Sequence, residues 1–204
     1  MDSSPVRVRP PQQDRSRRAL QKVLGAAESV LVAKGFDDFT MTAVAEQADV
    51  SVGAIYRRFE GKDQLLSAVW DSLLAKMETD LETALDNADP SLAGVVSALV
   101  RASVADLSGN KLFPYLYAPS MAQTTRVREA ISTRRTLFLA AVQPHLTEVR
   151  RSDRQLAVGM VQAMVTGSCV HRASQGHGVE DGLSWDEFAQ QLELLAMSYL
   201  LEAS

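Results

Sequence analysis

The chain has 204 residues, 46% of them hydrophobic, and a formal net charge of −4. That is apolar material for one large core or two small ones, and an overall balance too acidic for a protein coated all over in nucleic acid. A lone cysteine, Cys169, excludes an intrachain disulfide and suits a reducing compartment, and no apolar run reaches the length of a membrane span.

The first thirteen residues, with Pro5, Pro10 and Pro11, are expected to be extended and flexible. They hold no apolar segment of the signal-peptide type, so the expected location is the cytoplasm. Charge is unevenly placed. Residues 1–70 carry ten Lys/Arg against nine Asp/Glu, whereas residues 71–204 carry eleven against sixteen. Arg7, Arg9, Arg15, Arg17, Arg18 and Lys22 gather at the start, opposed only by Asp2 and Asp14. Alone this is a solvated basic tail; ahead of a nucleic-acid-reading element it becomes an arm for phosphates. From Asp14 to Lys34, Leu20, Val23, Leu24, Ala27, Val30 and Leu31 recur at helical spacing, and Gly35 supplies the stop. Phe36 and Phe39 follow as candidates to seal a small core.

Residues 40–62 read as two short helices joined by a tight turn and followed by the start of a third. Thr40 or Thr42 can cap the first helix and Ser51 the second, each hydroxyl accepting from an orphan amide. Val44, Ala45 and Ala48 give an apolar side small enough for a close helix crossing, and Val50 plugs the turn. In the second helix Ile55 and Phe59 lie four apart on one face, which must be buried. The other side carries Gly53, Ala54 and Arg57, with Tyr56 on its flank. Such small residues on an outward face suit a helix that enters a groove. The pattern is a helix-turn-helix offering its second helix to DNA.

These residues resemble the tetracycline-repressor (TetR) family of bacterial transcription factors, at Thr40, Ala45, Ala48, Val50, Ser51, Gly53, Tyr56, Phe59, Lys62 and Leu65, with conservative changes at Val44 and Ile55. The resemblance covers about the first third of the chain. One departure stands out: Asp49 occupies the place of the family's turn glycine, and Asp tolerates a left-handed backbone better than most residues. Carried onto matching positions, the resemblance implies that Thr40, Tyr56, Arg58 and Lys62 grip phosphates. Thr42, Val52, Gly53 and Arg57 would face bases, with Ser51 at the helix start and Ala54 close to the groove floor.

A long helix is expected from Gly61 to Asp86, with Leu65, Leu66, Val69, Leu73 and Met77 inward. Lys62 at its start is electrostatically misplaced unless an anion sits there too. Pro90 opens the next helix, apolar nearly all round through Leu107 and so central to a bundle. Residues 113–121 are aromatic and proline-broken. A helix over 126–149 carries Val127, Ile131, Phe138 and Val142 inward, with Pro144 as an interruption. In the stretch 153–174, Gly159, Ala163 and Gly167 form a small-residue stripe beside Leu156, Met160, Met164 and Val170. In 185–202, Phe188, Leu192, Leu195 and Tyr199 make one apolar stripe and Leu194, Met197 and Leu201 a second. Two apolar sides call for two partners, and a second copy of the chain is the expected one. Similar proteins pair through their last two helices.

No strand-like alternation, internal repeat or catalytic constellation is present. His145, His171 and His177 lack metal-ligand spacing, Cys169 reads as a buried inert thiol, and no metal or cofactor is expected. The expected organisation is all-α. It comprises a basic arm (1–13), a three-helix DNA-binding domain (14–60), a connecting helix (61–86) and a helical bundle for ligand binding and dimerisation (87–204). By the resemblance, a small, mostly hydrophobic effector would enter that bundle, with Met77, Leu99, Arg101, Phe113, Tyr117, Met121, Phe138, Met160 and Met164 as candidate contacts. The dimer face would hold Gly159, Ala163, Gly167, Phe188, Leu192, Leu195 and Tyr199. The function expected is a homodimeric, effector-released repressor on a palindromic operator, with no membrane partner. The alternatives are a sequence-indifferent architectural DNA binder and an enzyme with a vestigial DNA-binding head.

Overall fold

The computed structural model describes residues 12–110, 112, 125–175 and 182–203. Among these every regular element is helical: α1 (Gln12–Lys34), α2 (Met41–Gln47), α3 (Val52–Tyr56), α4 (Lys62–Asp86), α5 (Leu92–Ser108), α6 (Thr125–Val142), a 3-10 turn (Gln143–Glu148), α7 (Arg154–Ser174) and α8 (Trp185–Leu201). The fold is all-α, as the periodicity requires. The arm up to Pro11, the aromatic segment 113–121 and His177 lie outside the described residues. Arg15, Arg17 and Arg18 are helical and exposed on α1. Compact packing divides the chain within α4, after Ser72.

In the smaller unit, α1 buries Val23, Leu24, Ala27, Val30 and Leu31 and packs on α2, which buries Met41, Val44 and Ala45. Gly35 ends α1 at φ 74°, a left-handed conformation that costs glycine nothing. Phe39, Ile55, Phe59, Leu65 and Val69 complete the core, and Phe36 stacks on Trp70 with ring centroids 6.1 Å apart. Thr40, not Thr42, caps α2: its hydroxyl accepts from the Ala43 amide at 3.1 Å. Beyond α2 the Val50 amide reaches back to the Ala45 carbonyl (3.0 Å) and the Asp49 amide to that of Glu46 (3.1 Å). This is the paired helix-ending motif that needs a left-handed residue between them. Asp49 takes that role at φ 48°, so the turn survives without its glycine.

In the larger unit α5 lies against α6, α7 and α8, and α8 also packs on α7. Leu92, Val96, Leu99 and Val100 of α5 are fully buried, which explains why its sequence is apolar on every side. Pro90 lies just outside this helix; Ser91 caps it, accepting from the Gly94 amide at 3.0 Å. The helix expected over 126–149 ends at Val142, and Pro144 falls in the 3-10 turn that follows. Ser184 and Glu187 form a reciprocal capping box at the start of α8. Arg172 is buried, its guanidinium 5.2 Å from the Trp185 ring and 4.7 Å from that of Phe188, and it donates to the Leu183 carbonyl. This clamp ties the approach to α8 onto α7.

Candidate nucleic-acid interface and effector cavity

Helix α3 is only five residues long, so its orientation is set by its ends and by one buried side chain. Ser51 caps it, the hydroxyl accepting from the Ala54 amide at 3.2 Å, and Ile55 is fully buried beneath. Those two anchors turn Gly53, Tyr56 and Arg57 outward. Tyr56 is 53% exposed, large for an aromatic residue with a core at hand. Arg57 has no partner among the described residues. A methyl group added at Gly53 would meet nothing within 4 Å, so the chain's own packing does not require a glycine there. Val52 and Ala54 are half-buried, and Thr40, Thr42 and Ser51 are exposed at the helix starts.

The other two cations assigned to phosphates are held by the protein itself. Arg58 donates through one guanidinium nitrogen to the Ser16 hydroxyl (2.9 Å) and carbonyl (3.2 Å) on α1. Lys62 donates to the Phe36 carbonyl at 2.6 Å and lies 5.7 Å from the centre of the Phe39 ring. That carbonyl relieves the misplaced charge at the start of α4 without an external anion. Sequence reading missed both tethers, because Ser16 and the Phe36 carbonyl carry no signature until the helices are packed. Lys22 and Asp49 approach to 3.8 Å on the surface, a weakly stabilising pair.

A second site lies wholly in the larger unit, where α4, α5, α6 and α7 leave a narrow cavity. Its space is about 20 Å³, enough for roughly one water. Leu74, Met77, Leu107, Ile131 and Val170 form apolar wall, while Ser103, Asp106, Arg134, Gln162 and Thr166 are polar. Asp106 and Arg134 make an ion pair of 2.9 Å with side chains 3% and 12% exposed. Arg134 also donates to the Met77 carbonyl (2.7 Å) and the Ser103 hydroxyl (3.3 Å). Burial pushes the Asp106 carboxyl from 3.8 up to about 6, although Arg134 pulls the other way. Burial likewise raises Cys169 to about 12, so this thiol is inert.

Of the residues expected to line this cavity, Met77 does. Arg101 does not: it lies on the outside of α5, bonded to Glu193 (3.0 Å) and facing Asp186 (3.5 Å). Leu99 and Phe138 are sealed in the core, and Met160 is exposed on α7. Met164 is half-buried away from the cavity, and Phe113, Tyr117 and Met121 lie outside the described residues. α5 carries two charges, Arg101 and Asp106. Sequence reading weighed only Arg101, as a pocket residue if it faced inward and otherwise as a solvated one, which is how it lies. The signal that could have found Asp106 is its place on a helix otherwise apolar all round.

The expected pairing face is divided in the same way. Leu195 is 57% exposed, as are Leu194, Leu156 and Met160 to similar degrees, and Ala163 and Gly167 are exposed beside them on α7. Leu192 is 3% exposed and belongs to the chain's own core, which corrects its assignment to that face. Phe188 and Tyr199 are half-buried, covered by Arg172 and by Arg151, whose guanidinium stands 4.2 Å over the Tyr199 ring. Gly159 is half-buried, and a methyl there would come within 3.3 Å of the Arg135 guanidinium. Among the described residues no cluster of His, Cys, Asp and Glu could hold a metal, and no helix is long and apolar enough to cross a membrane.

Residues 23–69 match the model of the tetR family of bacterial regulatory proteins. Two proteins of Pseudomonas putida align with part of the chain. One is the uncharacterized HTH-type transcriptional regulator TtgW, 37% identical over 65 residues, which are 32% of this chain and 48% of that protein. The other is the HTH-type transcriptional regulator SrpR, 40% identical over 60 residues, 29% of this chain and 28% of that one. The chain thus spans about half the length of the first and just over a quarter of the second. Among solved structures, a protein of unknown function from Rhodococcus sp. RHA1 superposes with a TM-score of 0.71 at 20% identity, covering 98% of this chain and 100% of that one. A TetR-family regulator from Mesorhizobium loti gives 0.69 at 19% identity, covering 91% and 96%. At such identities these likenesses are of fold.

Proposed function

We propose, for a chain that belongs to the tetR family through its residues 23–69, that it is a repressor which binds a palindromic operator as a homodimer and is released by a small hydrophobic effector. The outward face of α3 carries this reading. Its Gly53 is not required by internal packing, its Tyr56 is exposed and its Arg57 has no partner among the described residues, so the face is shaped and charged for an external partner. A glycine lets a backbone approach the base edges closely, and a free arginine can donate two bonds to a guanine. Thr40, Thr42, Ser51 and Val52 flank this face. Arg58 and Lys62 keep further N–H donors for phosphate beside their bonds to Ser16 and the Phe36 carbonyl.

Self-association is supported by the exposed Leu156, Met160, Leu194 and Leu195, which a lone chain leaves against water. A two-fold dimer would set two α3 helices against half-sites roughly one helical turn of DNA apart. Release is supported by the cavity. It is too narrow for a ligand larger than water, so an effector enters only by moving Leu74 and Met77 of α4 or the helices facing them. An effector must prefer the moved state by roughly 5.5 kcal/mol to convert a 1:99 balance into 99:1.

The test is selection of bound duplexes from a random library with purified protein at near-physiological salt. Enrichment of a palindrome is expected. Recovery of unselected DNA, with binding that weakens alike on all sequences as salt rises, would overturn sequence-specific repression in favour of an architectural binder.

A further inference from the structure

The cavity of the larger unit has a chemistry that a purely apolar effector does not use. One carboxylate oxygen of Asp106, Oδ2, accepts from Arg134. The other, Oδ1, has no donor among the described residues. Asp106 itself lines the cavity. So does Gln162, whose amide nitrogen donates to the Thr166 hydroxyl at 3.1 Å. Arg134 gives hydrogen bonds to Asp106, Ser103 and the Met77 carbonyl. The carboxylate brings a negative charge and a further acceptor to this polar corner.

We propose that this cavity takes a lipophilic cation, an apolar body bearing a protonated amine, with the ammonium on Asp106 Oδ1 and the body against Leu74, Met77, Leu107 and Ile131. The inference rests on the effector reading and gives that effector its chemical class. An ammonium brings three donors to the Asp106 carboxylate, in a buried site where such a bond is charge-assisted. An anion would instead sit beside the Asp106 carboxylate, where like charges repel. The raised pKa of Asp106 supports the same direction: one arginine does not fully offset its burial, and a second cation would. The unit is also acidic as a whole, with eleven Lys/Arg against fifteen Asp/Glu in residues 73–204, which raises the local concentration of cations.

The experiment titrates the full chain with three probes that share a biphenyl body: 4-phenylbenzylamine, 4-phenylbenzyl alcohol and 4-phenylbenzoate. By calorimetry at pH 7.5 the amine is expected to bind at least about tenfold tighter than either of the others. Asp106→Asn should bring the amine to the level of the alcohol, whose own affinity stays within about twofold. A readout on the unaltered chain does not depend on that variant folding. Between pH 7.5 and 5 the amine should weaken roughly tenfold as Asp106 gains its proton, while the alcohol does not change. The charged groups facing Asp106 are Arg134 from α6 and Lys76 and Asp80, paired with each other, from α4. Cys169 of α7 stays protonated throughout. Any effect of pH that does not act through Asp106 would move the alcohol as well.

Tightest binding by the benzoate would overturn the proposal and make Arg134 the anchor. So would an amine preference indifferent to pH or to Asp106→Asn, or failure of all three probes to bind. Operator occupancy is followed separately by fluorescence anisotropy. An amine that binds through Asp106 yet leaves DNA bound would sink the release mechanism and not this site. Absent probe binding with operator recognition intact would do the reverse.

Discussion

In the smaller unit Tyr56 and Arg57 stand outside on α3, and the interior is hydrocarbon closed by Ile55, Phe59 and the stacked Phe36 and Trp70. In the larger unit the arrangement is inverted: Asp106 and Arg134 are inside, bonded to each other, while Leu156, Leu194 and Leu195 are outside. Each inversion has a cost in water or in hydrocarbon. On the proposed reading, Tyr56 and Arg57 take their partners from DNA, and the Asp106 carboxylate takes one from an effector. The contrast teaches where to look for sites in this chain: where polarity and burial disagree.

The sharpest way to break the contrast on the outer surface is to substitute two leucines three residues apart on α8. Leu192→Ala should lower the stability of the chain by roughly 2–4 kcal/mol, because the methylenes it removes leave a cavity. Leu195→Ala removes an exposed side chain, so unfolding by urea should move by less than about 0.5 kcal/mol. Its effect should fall on the concentration at which the chain self-associates, read by analytical ultracentrifugation. Equal loss of stability in the two variants would mean that both leucines face the same core.

Inside, the test is pH. The folded chain keeps a proton on Asp106 up to about pH 6, whereas the unfolded chain releases it near 3.8. The contribution of this group is therefore most favourable below about pH 4 and is lost as pH rises through 6. The two values differ by enough for about 3 kcal/mol. Asn mimics the protonated acid, so the stability of Asp106→Asn relative to the parent should improve by up to that amount between pH 4 and 7.5. Parallel curves would show that Asp106 is solvated.

Much of the fold was legible because it is locally coded. Thr40 and Ser51 cap, Gly35 stops a helix, and Asp49 holds a left-handed turn; each of these acts within four residues of itself, so spacing alone reveals it. The outward face of α3 could be read for the same reason, since Ile55 fixes which side is in. The cavity was not legible. Whether Arg101 or Asp106 faces inward depends on where α6 crosses α5, and no residue within either helix encodes that crossing. Arg58 and Lys62 failed to announce their tethers on similar grounds: Ser16 lies forty-two residues from Arg58, and Phe36 twenty-six from Lys62.

On α3, removing the ring of Tyr56 or the guanidinium of Arg57 should weaken binding to the selected duplex by roughly 1–3 kcal/mol, about 5- to 150-fold, with thermal unfolding unchanged. Loss of binding together with loss of helicity would instead assign these side chains to the fold.

The smallest expected effect separates the two roles most cleanly. Gly53 sits inside a helix, where glycine is less favourable than alanine by roughly 0.5–1 kcal/mol. Nothing within 4 Å would obstruct the added methyl. Judged by the protein alone, Gly53→Ala should therefore stabilise the smaller unit by about that amount, seen as a higher urea midpoint. If α3 enters a groove with its backbone against the bases, the same methyl must collide with DNA, and affinity for the selected duplex should fall although the fold has gained. Stability and binding would then move in opposite directions from one atom, which no purely structural role can produce. A variant that is both more stable and undiminished in binding would show that the glycine side of α3 faces away from the groove, leaving Tyr56 and Arg57 to act from its flank.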